Sequence, residues 1–403
     1  MGKPVIYPLA ERIIKMVESA TLQMTAKARK LKQEGNDVIN LSIGEPDFDT
    51  PQFIKDAAKE ALEDGYTKYT PVSGLLELKQ AIQRKFKRDN NIDYALDEIV
   101  VSNGAKQSIA NAAMSLLNDG DEVIIFAPYW VSYLEIVQLA GGVPVIVHAG
   151  IENDFKVLPS QLQDALSDKT RMIIFSSPCN PTGSVYSLDE LKAFADILGS
   201  KDEIYIVSDE IYEYINYSGQ HASIASIPSV KDQTITINGF SKGFAMTGWR
   251  LGYMGAPKEV AKAVDKMQGQ FTSGAASFSQ KAAVTALDTD LTETYKMREA
   301  FKKRRDLILS LLNDIPNIKC NIPEGAFYVF PNVSSYYGKS TPDGKVIHNG
   351  DELCTYILEH AYVAIVAGSA FGDDDCIRIS YAASDAQIIE ACSRIKEVLL
   401  HLS

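Results

Sequence analysis

Four clusters of polar residues and glycines stand out in the sequence, because each directly follows a short apolar run. They occupy residues 102–106, 176–183, 209–212 and 239–242. Together they supply lysine amines, carboxylates, hydroxyls and glycine backbone, which are groups that can bind and react with a small polar ligand. Ligands of parallel α/β sheets bind outside the carboxyl ends of the strands, so four such clusters predict one site at one sheet edge.

Common alternatives for such a site lack support. Neither G-x-G-x-x-G nor G-x-x-x-x-G-K-[ST] occurs, which disfavours a dinucleotide site and a P-loop. The five histidines are dispersed and no H-E-x-x-H is present, so the sequence predicts no dedicated zinc site. The five cysteines are scattered and never spaced as C-x-x-C, a pattern that predicts a reduced, cytoplasmic protein.

The elements that must position the four clusters alternate along the middle of the chain. Apolar runs predict seven strands, near residues 99–101, 123–126, 143–147, 172–175, 204–207, 234–237 and 251–254, with helical stretches between them. Fully apolar strands separated by helices are typical of a sheet that is covered on both faces. We therefore predict an α/β fold of three layers around a mostly parallel seven-stranded sheet.

The pattern changes at about residue 286. A long charged helix over 291–313, short strands near Tyr328 and Ile377, and a closing helix from Ser384 predict a smaller α+β domain. The predicted organisation is thus an N-terminal segment, 1–48, packing with the small domain, a large ligand-binding domain, 49–285, and a small C-terminal domain, 286–403.

Composition and charge narrow the class of ligand. Apolar residues make up 46% of the 403 residues and charged residues 23%, which is ordinary for a globular protein. The net charge of −12 disfavours nucleic acids and anionic membranes as partners. No apolar stretch approaches the ~20 residues of a membrane helix, and the first residues lack the apolar core of a signal peptide. An acidic ligand would therefore need a local basic pocket.

Several motifs, taken in order, resemble one known family. They are Gly44-Glu45-Pro46-Asp47-Phe48, Asn180-Pro181-Thr182-Gly183, Ser241-Lys242 with Arg250 eight residues on, and Arg378. In this order and spacing they are similar to the class I aminotransferases of fold type I, enzymes that use pyridoxal 5′-phosphate (PLP). The resemblance runs over nearly the whole chain. It is closest to the bacterial aspartate aminotransferases with the GEPDF motif and a segment matching Ser19-Ala20-Thr21.

The resemblance implies roles for the residues around the cofactor ring. Lys242 matches the lysine that binds PLP as a Schiff base and, once released, shuttles a proton. Asp209 would face the ring nitrogen and keep it protonated, whereas Tyr212 and Asn180 would reach the phenolic oxygen. Trp130 would stack on the ring. Without the resemblance, the same residues could be a surface lysine, a helix N-cap, a core tyrosine, a turn asparagine and a core tryptophan.

The family also implies a phosphate site and a dimer. Its donors would be the start of a helix at Gly104, Ala105 and Lys106, together with Ser241 and Arg250, because helix N-termini and guanidinium groups suit anions. Tyr69 matches a residue that reaches the phosphate of the neighbouring subunit, which implies a homodimer with shared active sites.

For the substrate, the resemblance implies that Arg378 captures the α-carboxylate, with the backbone of Gly44 close by and with Trp130 and Asn180 as neighbours. Many dicarboxylate aminotransferases have a second arginine in the segment that matches 265–285, and here that segment contains none. The subgroup instead has a lysine at Lys106 and hydroxyls at Ser19 and Thr21. These residues favour the transfer of the amino group of L-aspartate to 2-oxoglutarate, giving oxaloacetate and L-glutamate by a ping-pong mechanism.

Three alternatives stay open at this point. Prephenate or aromatic amino acids could be substrates, because related enzymes share most of these residues. A PLP-dependent lyase could use the same electron sink. A non-enzymatic regulator on this fold is disfavoured by the acidic charge and by the absence of a predicted DNA-binding segment.

Overall fold

The computed structural model describes residues 9–403 and is built around a mixed sheet of seven strands. The strands of the whole described chain, in order, are β1 Ile39–Asn40, β2 Ile99–Ser102, β3 Glu122–Ala127, β4 Val143–His148, β5 Thr170–Ser176, β6 Tyr205–Asp209, β7 Thr234–Gly239, β8 Gly252–Gly255, β9 Tyr328–Val329, β10 Val363–Ala364, β11 Val366–Ala367 and β12 Ile377–Ser380. The large sheet has the order β2-β8-β7-β6-β5-β3-β4. All seven strands predicted from the apolar runs are present in it.

Strand directions explain why the polar clusters meet. The strands β4, β3, β5, β6 and β7 are mutually parallel, and β8 alone runs antiparallel to both of its neighbours. Consequently β2 has the same direction as the parallel strands. In the register Ser176 lies beside Asp209, while Gly252 pairs with both Ser102 and Gly239. The predicted clusters therefore all leave the sheet at its carboxyl edge.

Helices cover both faces of this sheet. The helices of residues 9–403, in chain order, are α1 Glu11–Lys15, α2 Ala20–Gln33, α3 Gln52–Glu63, α4 Leu76–Lys85, α5 Ala105–Leu116, α6 Ser132–Leu139, α7 Pro159–Ala165, α8 Leu188–Leu198, α9 Lys258–Phe271, α10 Ser277–Asp288, α11 Thr292–Asn313, α12 Gly350–Ala361 and α13 Asp385–Leu400. Of these, α2, α11, α12 and α13 pack with the short strands β9, β10 and β12. A π-helical turn, Phe86–Asn90, continues α4.

Successive side chains along the strands of the large sheet pack into two apolar cores, one on each face. On β3, Val123 and Ile125 pack with α5, α6 and α9, while Ile124 packs with α8 on the opposite face. A strand presents successive side chains to opposite faces, so an all-apolar strand must be covered twice. The three-layer α/β prediction is confirmed.

The remaining strands form a second, smaller assembly with the N-terminal segment. The strands β11, β12 and β9 make an antiparallel sheet, and β1 pairs with β10 in parallel. Met24 and Ala28 of α2 are buried in the same apolar cluster as residues of α11, α12 and α13. Residues 1–8 of the predicted N-terminal segment lie outside the described part of the chain. Within residues 9–403 no helix combines the length and apolar character that crossing a bilayer requires.

Candidate active site

A cavity of about 430 Å³ lies at the carboxyl edge of the large sheet, where that edge meets α2, the 43–45 loop and the small sheet. Almost every site residue predicted from the sequence lines it. These residues are Thr21, Gly44, Ala105, Lys106, Trp130, Asn180, Asp209, Tyr212, Ser241, Lys242, Arg250 and Arg378, together with Ser19. Gly104 and Tyr69 do not line it, and their positions are given below.

Lys242 is the last residue of the cluster at the end of β7, and its side chain lines the cavity. Its Nζ donates a hydrogen bond to the backbone oxygen of Gly44. Burial lowers the pKa of this amine to about 8, although the nearby carboxylate of Glu45 opposes the shift. An amine with that pKa is partly neutral near pH 7, and only the neutral form can act as a nucleophile or accept a proton.

Asp209 is the last residue of β6 and its carboxylate is held at both oxygens. The hydroxyl of Tyr133 donates to Oδ2 at 2.7 Å, and the backbone N–H of Ile211 donates to Oδ1 at 3.2 Å. Burial raises the pKa of Asp209 to about 6. Above that pH the group is a buried anion without a salt-bridge partner among residues 9–403, so it can pair with a positively charged ligand atom.

Arg378 lies in the middle of β12 and is only 2% exposed. Its guanidinium donates to the Asn180 side-chain oxygen at 3.0 Å and to the Ser42 backbone oxygen at 2.6 Å, and it lies 4.5 Å from the ring centre of Tyr328. Its Nε has no hydrogen-bond partner among residues 9–403. Within the described chain all of its hydrogen-bond acceptors are neutral. A buried cation with neutral partners is costly, and an anionic ligand would offset that cost.

A second anion-binding corner forms where α5 begins. At Gly104, whose φ is +88°, a Cβ would lie 2.6 Å from an Arg250 guanidinium nitrogen, so the absence of a side chain lets the two approach. Arg250 donates to the backbone oxygens of Thr247 at 2.8 Å and Asn103 at 3.4 Å. Free N–H groups at the first turn of α5, this guanidinium and the Ser241 hydroxyl suit a phosphate-like anion.

Lys106 and Trp130 form one wall of the cavity. The Lys106 ammonium lies 4.9 Å from the centre of the Trp130 ring, a cation–π contact. Burial and the charge of Arg250 lower the pKa of Lys106. Within residues 9–403 Lys106 makes no salt bridge, and its charge can therefore act on a ligand.

Tyr212 is buried and its hydroxyl shares a hydrogen bond of 2.7 Å with that of Tyr328 on β9. Burial raises the pKa of Tyr212 well above its usual value, so it stays a neutral hydrogen-bonding group. The Tyr328 hydroxyl also occupies the space that a Cβ on Gly44 would need. A glycine at residue 44 thus keeps the 43–45 loop close to the small sheet.

Tyr69 lies on a loop outside this cavity and its side chain is fully exposed. The loop is fixed beside the start of α10, because the hydroxyl of Thr70 donates to the Ala275 backbone oxygen at 3.4 Å and accepts from the Gln280 side chain at 3.1 Å. An exposed tyrosine on a well-anchored loop is available to another molecule.

Sequence reasoning missed several residues of the cavity. Tyr133, Tyr328, Glu45 and Thr247 all line it, and Thr247 donates to Glu45 at 2.5 Å. None of them carried a usable signal in the sequence, although Tyr133 follows Trp130 by only three residues and its N–H donates to the Trp130 backbone oxygen at 2.9 Å. The other three are brought to the cavity by contacts between distant parts of the chain.

A separate group of polar and titratable residues begins at Glu210, next to Asp209 in the chain. Glu210, Glu213 and His221 place potential metal ligands within 4.8 Å of one another. The fully buried Lys85 ammonium forms an ion pair with Glu213 and donates to Asn90 at 2.6 Å, and Asn90 in turn donates to both glutamates. Lys85 therefore already supplies a cation to this group.

Comparisons with known proteins place the whole chain among relatives of one kind. A model of the family described as aminotransferase class I and II matches residues 36–395. A probable aspartate/prephenate aminotransferase of Rhizobium leguminosarum bv. phaseoli is 47% identical over 391 residues, which cover 96% of this chain and 98% of the relative. A bifunctional aspartate aminotransferase and glutamate/aspartate-prephenate aminotransferase of Petunia hybrida is 48% identical over 398 residues, covering 97% of this chain and 83% of the relative.

Solved structures give the same result. An aspartate aminotransferase from Rhizobium meliloti has a TM-score of 0.96 and 43% identity, with coverage of 98% of this chain and 100% of the other. The Thermus thermophilus aspartate aminotransferase solved with maleate has a TM-score of 0.90 and 39% identity, again with 98% and 100% covered.

Proposed function

Because the chain belongs to the aminotransferase class I and II family, we propose that it is an aspartate aminotransferase with PLP as its cofactor. It transfers the amino group of L-aspartate to 2-oxoglutarate, giving oxaloacetate and L-glutamate by a ping-pong mechanism. The observation that carries this proposal is the presence, in one cavity, of a buried arginine with neutral partners, a lysine with a lowered pKa and a buried aspartate.

The residues of the cavity fit PLP. The first turn of α5, Ser241 and Arg250 would hold the phosphate, and Trp130 would cover one face of the ring. Asp209 would pair with the ring nitrogen, and Tyr212 and Asn180 would bind the phenolic oxygen. When bound, PLP supplies an electron sink that makes the α-proton of an amino acid easier to remove.

The protein's own groups account for the remaining work. Arg378 binds the α-carboxylate of the substrate, and Asn180 orients the guanidinium through its 3.0 Å hydrogen bond. Lys242 takes the proton from the α-carbon and holds it, because its lowered pKa leaves a neutral amine available. Asp209, as an anion, stabilises a positive charge on the ligand atom that faces its carboxylate.

Lys106 is the group that supports aspartate and glutamate as substrates. Its ammonium lies over Trp130 without a carboxylate partner in the described chain, so a distal carboxylate of the substrate can pair with it. Ser19 and Thr21, at the start of α2, line the same cavity and add hydroxyl groups. No arginine occurs in 265–285 that could take this role from a second subunit.

A second candidate substrate is prephenate. The names of two relatives include an aminotransferase activity between aspartate or glutamate and prephenate. The cavity has an apolar side formed by Leu22, Ile43 and Val131, which could contact a carbon ring. The names of these relatives and the apolar side favour prephenate over a lyase reaction.

A homodimer with shared active sites belongs to the same proposal. Tyr69 is fully exposed, and Phe271, at the end of α9, is 63% exposed. Large aromatic side chains on a surface favour an interface. In the proposed dimer Tyr69 of each subunit reaches the phosphate corner of the other.

The proposal keeps the division into 1–48, 49–285 and 286–403. It is supported by the pairing of β1 with β10 and by the separate apolar clusters of the two sheets. The proposed cytoplasmic location is supported by the five cysteines, which are all free thiols.

The test is a screen of amino donors against 2-oxoglutarate with purified enzyme reconstituted with PLP. We expect oxaloacetate from L-aspartate at a higher kcat/KM than the products of alanine or phenylalanine, and no turnover in Lys242→Ala. Prephenate replaces 2-oxoglutarate in a parallel assay. A preference for a neutral donor, or release of ammonia without an acceptor, would overturn the proposal.

A further inference from the structure

The side chain of Tyr133 contacts two residues of the proposed cofactor site, Asp209 and Trp130, which lie on different elements. Its hydroxyl is buried, with the side chain 1% exposed, and donates to Asp209 Oδ2 at 2.7 Å. Its ring packs edge-on against Trp130, with ring centres 5.5 Å apart and planes at 84°. One side chain therefore contacts both the residue proposed to cover the cofactor ring and the residue proposed to face the ring nitrogen.

The direction of the hydrogen bond follows from the chemistry of the two groups. An ionised carboxylate only accepts, so the Tyr133 hydroxyl must donate. Burial raises the pKa of Tyr133 well above its usual value, so the hydroxyl keeps its proton. The bond to Asp209 exists at full strength only while Asp209 is an anion, and it therefore favours the ionised carboxylate.

Other groups around Asp209 have smaller effects on its pKa, and these effects partly oppose one another. The Ile211 N–H donates to the other oxygen at 3.2 Å. Glu210 raises the pKa of Asp209 and Lys242 lowers it, and the hydrogen bond from Tyr133 is the largest influence that lowers it. Tyr133 is thus the main group in the described chain that opposes the effect of burial on this carboxylate.

From this geometry we infer that Tyr133 is a positioning residue of the proposed reaction: it keeps the Asp209 carboxylate ionised and aimed into the cavity. Tyr133 would act on the reaction through Asp209, to which its hydroxyl donates. The inference rests on the proposed function, because it assigns Asp209 to the ring nitrogen of PLP.

The test compares Tyr133→Phe with the wild-type holoenzyme. We expect kcat with aspartate to fall about tenfold while KM changes by less than about twofold, since the lost bond acts on the cofactor side and not on substrate binding. In Asp209→Asn, which has no carboxylate to ionise, adding Tyr133→Phe should lower kcat by less than about twofold further. If Tyr133→Phe lowers kcat by the same factor in Asp209→Asn as in the wild type, the inference is overturned.

A readout that does not depend on turnover is the titration of Asp209 itself. Infrared difference spectra of the cofactor-free protein, assigned with Asp209→Asn, should show a carboxyl midpoint near pH 6 in the wild type and a higher one in Tyr133→Phe. An unchanged midpoint contradicts the inference.

A matched control removes another buried tyrosine hydroxyl. Tyr186→Phe deletes a hydroxyl that accepts the Val157 N–H at 2.8 Å in the core beside α8, and it should leave kcat and the Asp209 midpoint unchanged. If it lowers kcat as much as Tyr133→Phe does, the effect is a general loss of packing and the inference is wrong. A wild-type enzyme that binds no PLP would instead overturn the proposed function, whatever Tyr133 does.

Discussion

The guanidinium of Arg378 donates to the side-chain oxygen of Asn180 at 3.0 Å, although 198 positions separate the two residues in the chain. Arg378 is on the small antiparallel sheet and Asn180 follows a strand of the large sheet. This hydrogen bond therefore orients the buried cation from the far side of the cavity. The second anchor, the Ser42 backbone oxygen at 2.6 Å, comes from the N-terminal segment. Three separate parts of the chain thus meet at the proposed carboxylate site.

Lys106→Ala tests the substrate class. Losing a charge-assisted hydrogen bond costs about 1.5–3 kcal/mol, so we expect kcat/KM for aspartate and glutamate to fall by roughly one to two powers of ten. Alanine and phenylalanine turnover and PLP affinity should hardly change, because Arg250, Ser241 and the first turn of α5 remain. If PLP affinity falls and all donors lose rate alike, Lys106 serves the phosphate and the aspartate assignment loses its main support.

The two-subunit site can be tested with hybrids of Tyr69→Phe and Lys242→Ala subunits. If Tyr69 acts across the interface, each hybrid dimer has one site with both lesions and one site with neither. We expect mixing to create sites with native-like kcat/KM that neither parent has. Hybrids whose kcat/KM never exceeds that of the Tyr69→Phe parent would show that Tyr69 acts within its own subunit.

Asp209 is expected to destabilise the cofactor-free protein near neutral pH. Its pKa is about 6 in the fold and 3.8 without perturbation, so the folded state binds more protons in this window and stability falls as pH rises from about 4 to 6. The shift corresponds to about 3 kcal/mol at most. Urea unfolding of the cofactor-free protein should show Asp209→Asn gaining stability over the wild type from pH 4.5 to pH 7.5. A gap that is constant or shrinks with rising pH would refute the assignment.

Lys85→Met is expected to destabilise the fold strongly. It leaves the buried carboxylate of Glu213 without its cation, and removing one partner of a buried pair typically costs about 3–5 kcal/mol in the free energy of unfolding. Adding Glu213→Gln should restore a large part of this loss. Lys262→Met, which breaks an exposed pair with Glu259, should change stability by less than about 0.5 kcal/mol. Equal effects of the two lysine variants would contradict this account.

The sequence predicted the fold well because burial on both faces demands continuous apolar strands. The run at 204–207 is an example: it predicts the strand and places Asp209 at its carboxyl end. Lys242 and Arg378 could be proposed only through the resemblance, since spacing alone does not say that Lys242 reaches Gly44 across the cavity. Tyr133 and Tyr328 could not be distinguished from ordinary core tyrosines, because their importance comes from a single hydrogen bond formed in the folded chain.

The most direct test of the central claim is borohydride reduction of the holoenzyme followed by peptide mapping, with and without L-aspartate. Borohydride fixes PLP to the amine that holds it. We predict that the reduced enzyme carries one PLP per chain on Lys242. Excess L-aspartate added beforehand, without an oxo acid, should leave Lys242 unlabelled and release about one oxaloacetate per site. A label on another lysine, or labelling of Lys242 that aspartate does not prevent, would contradict the account.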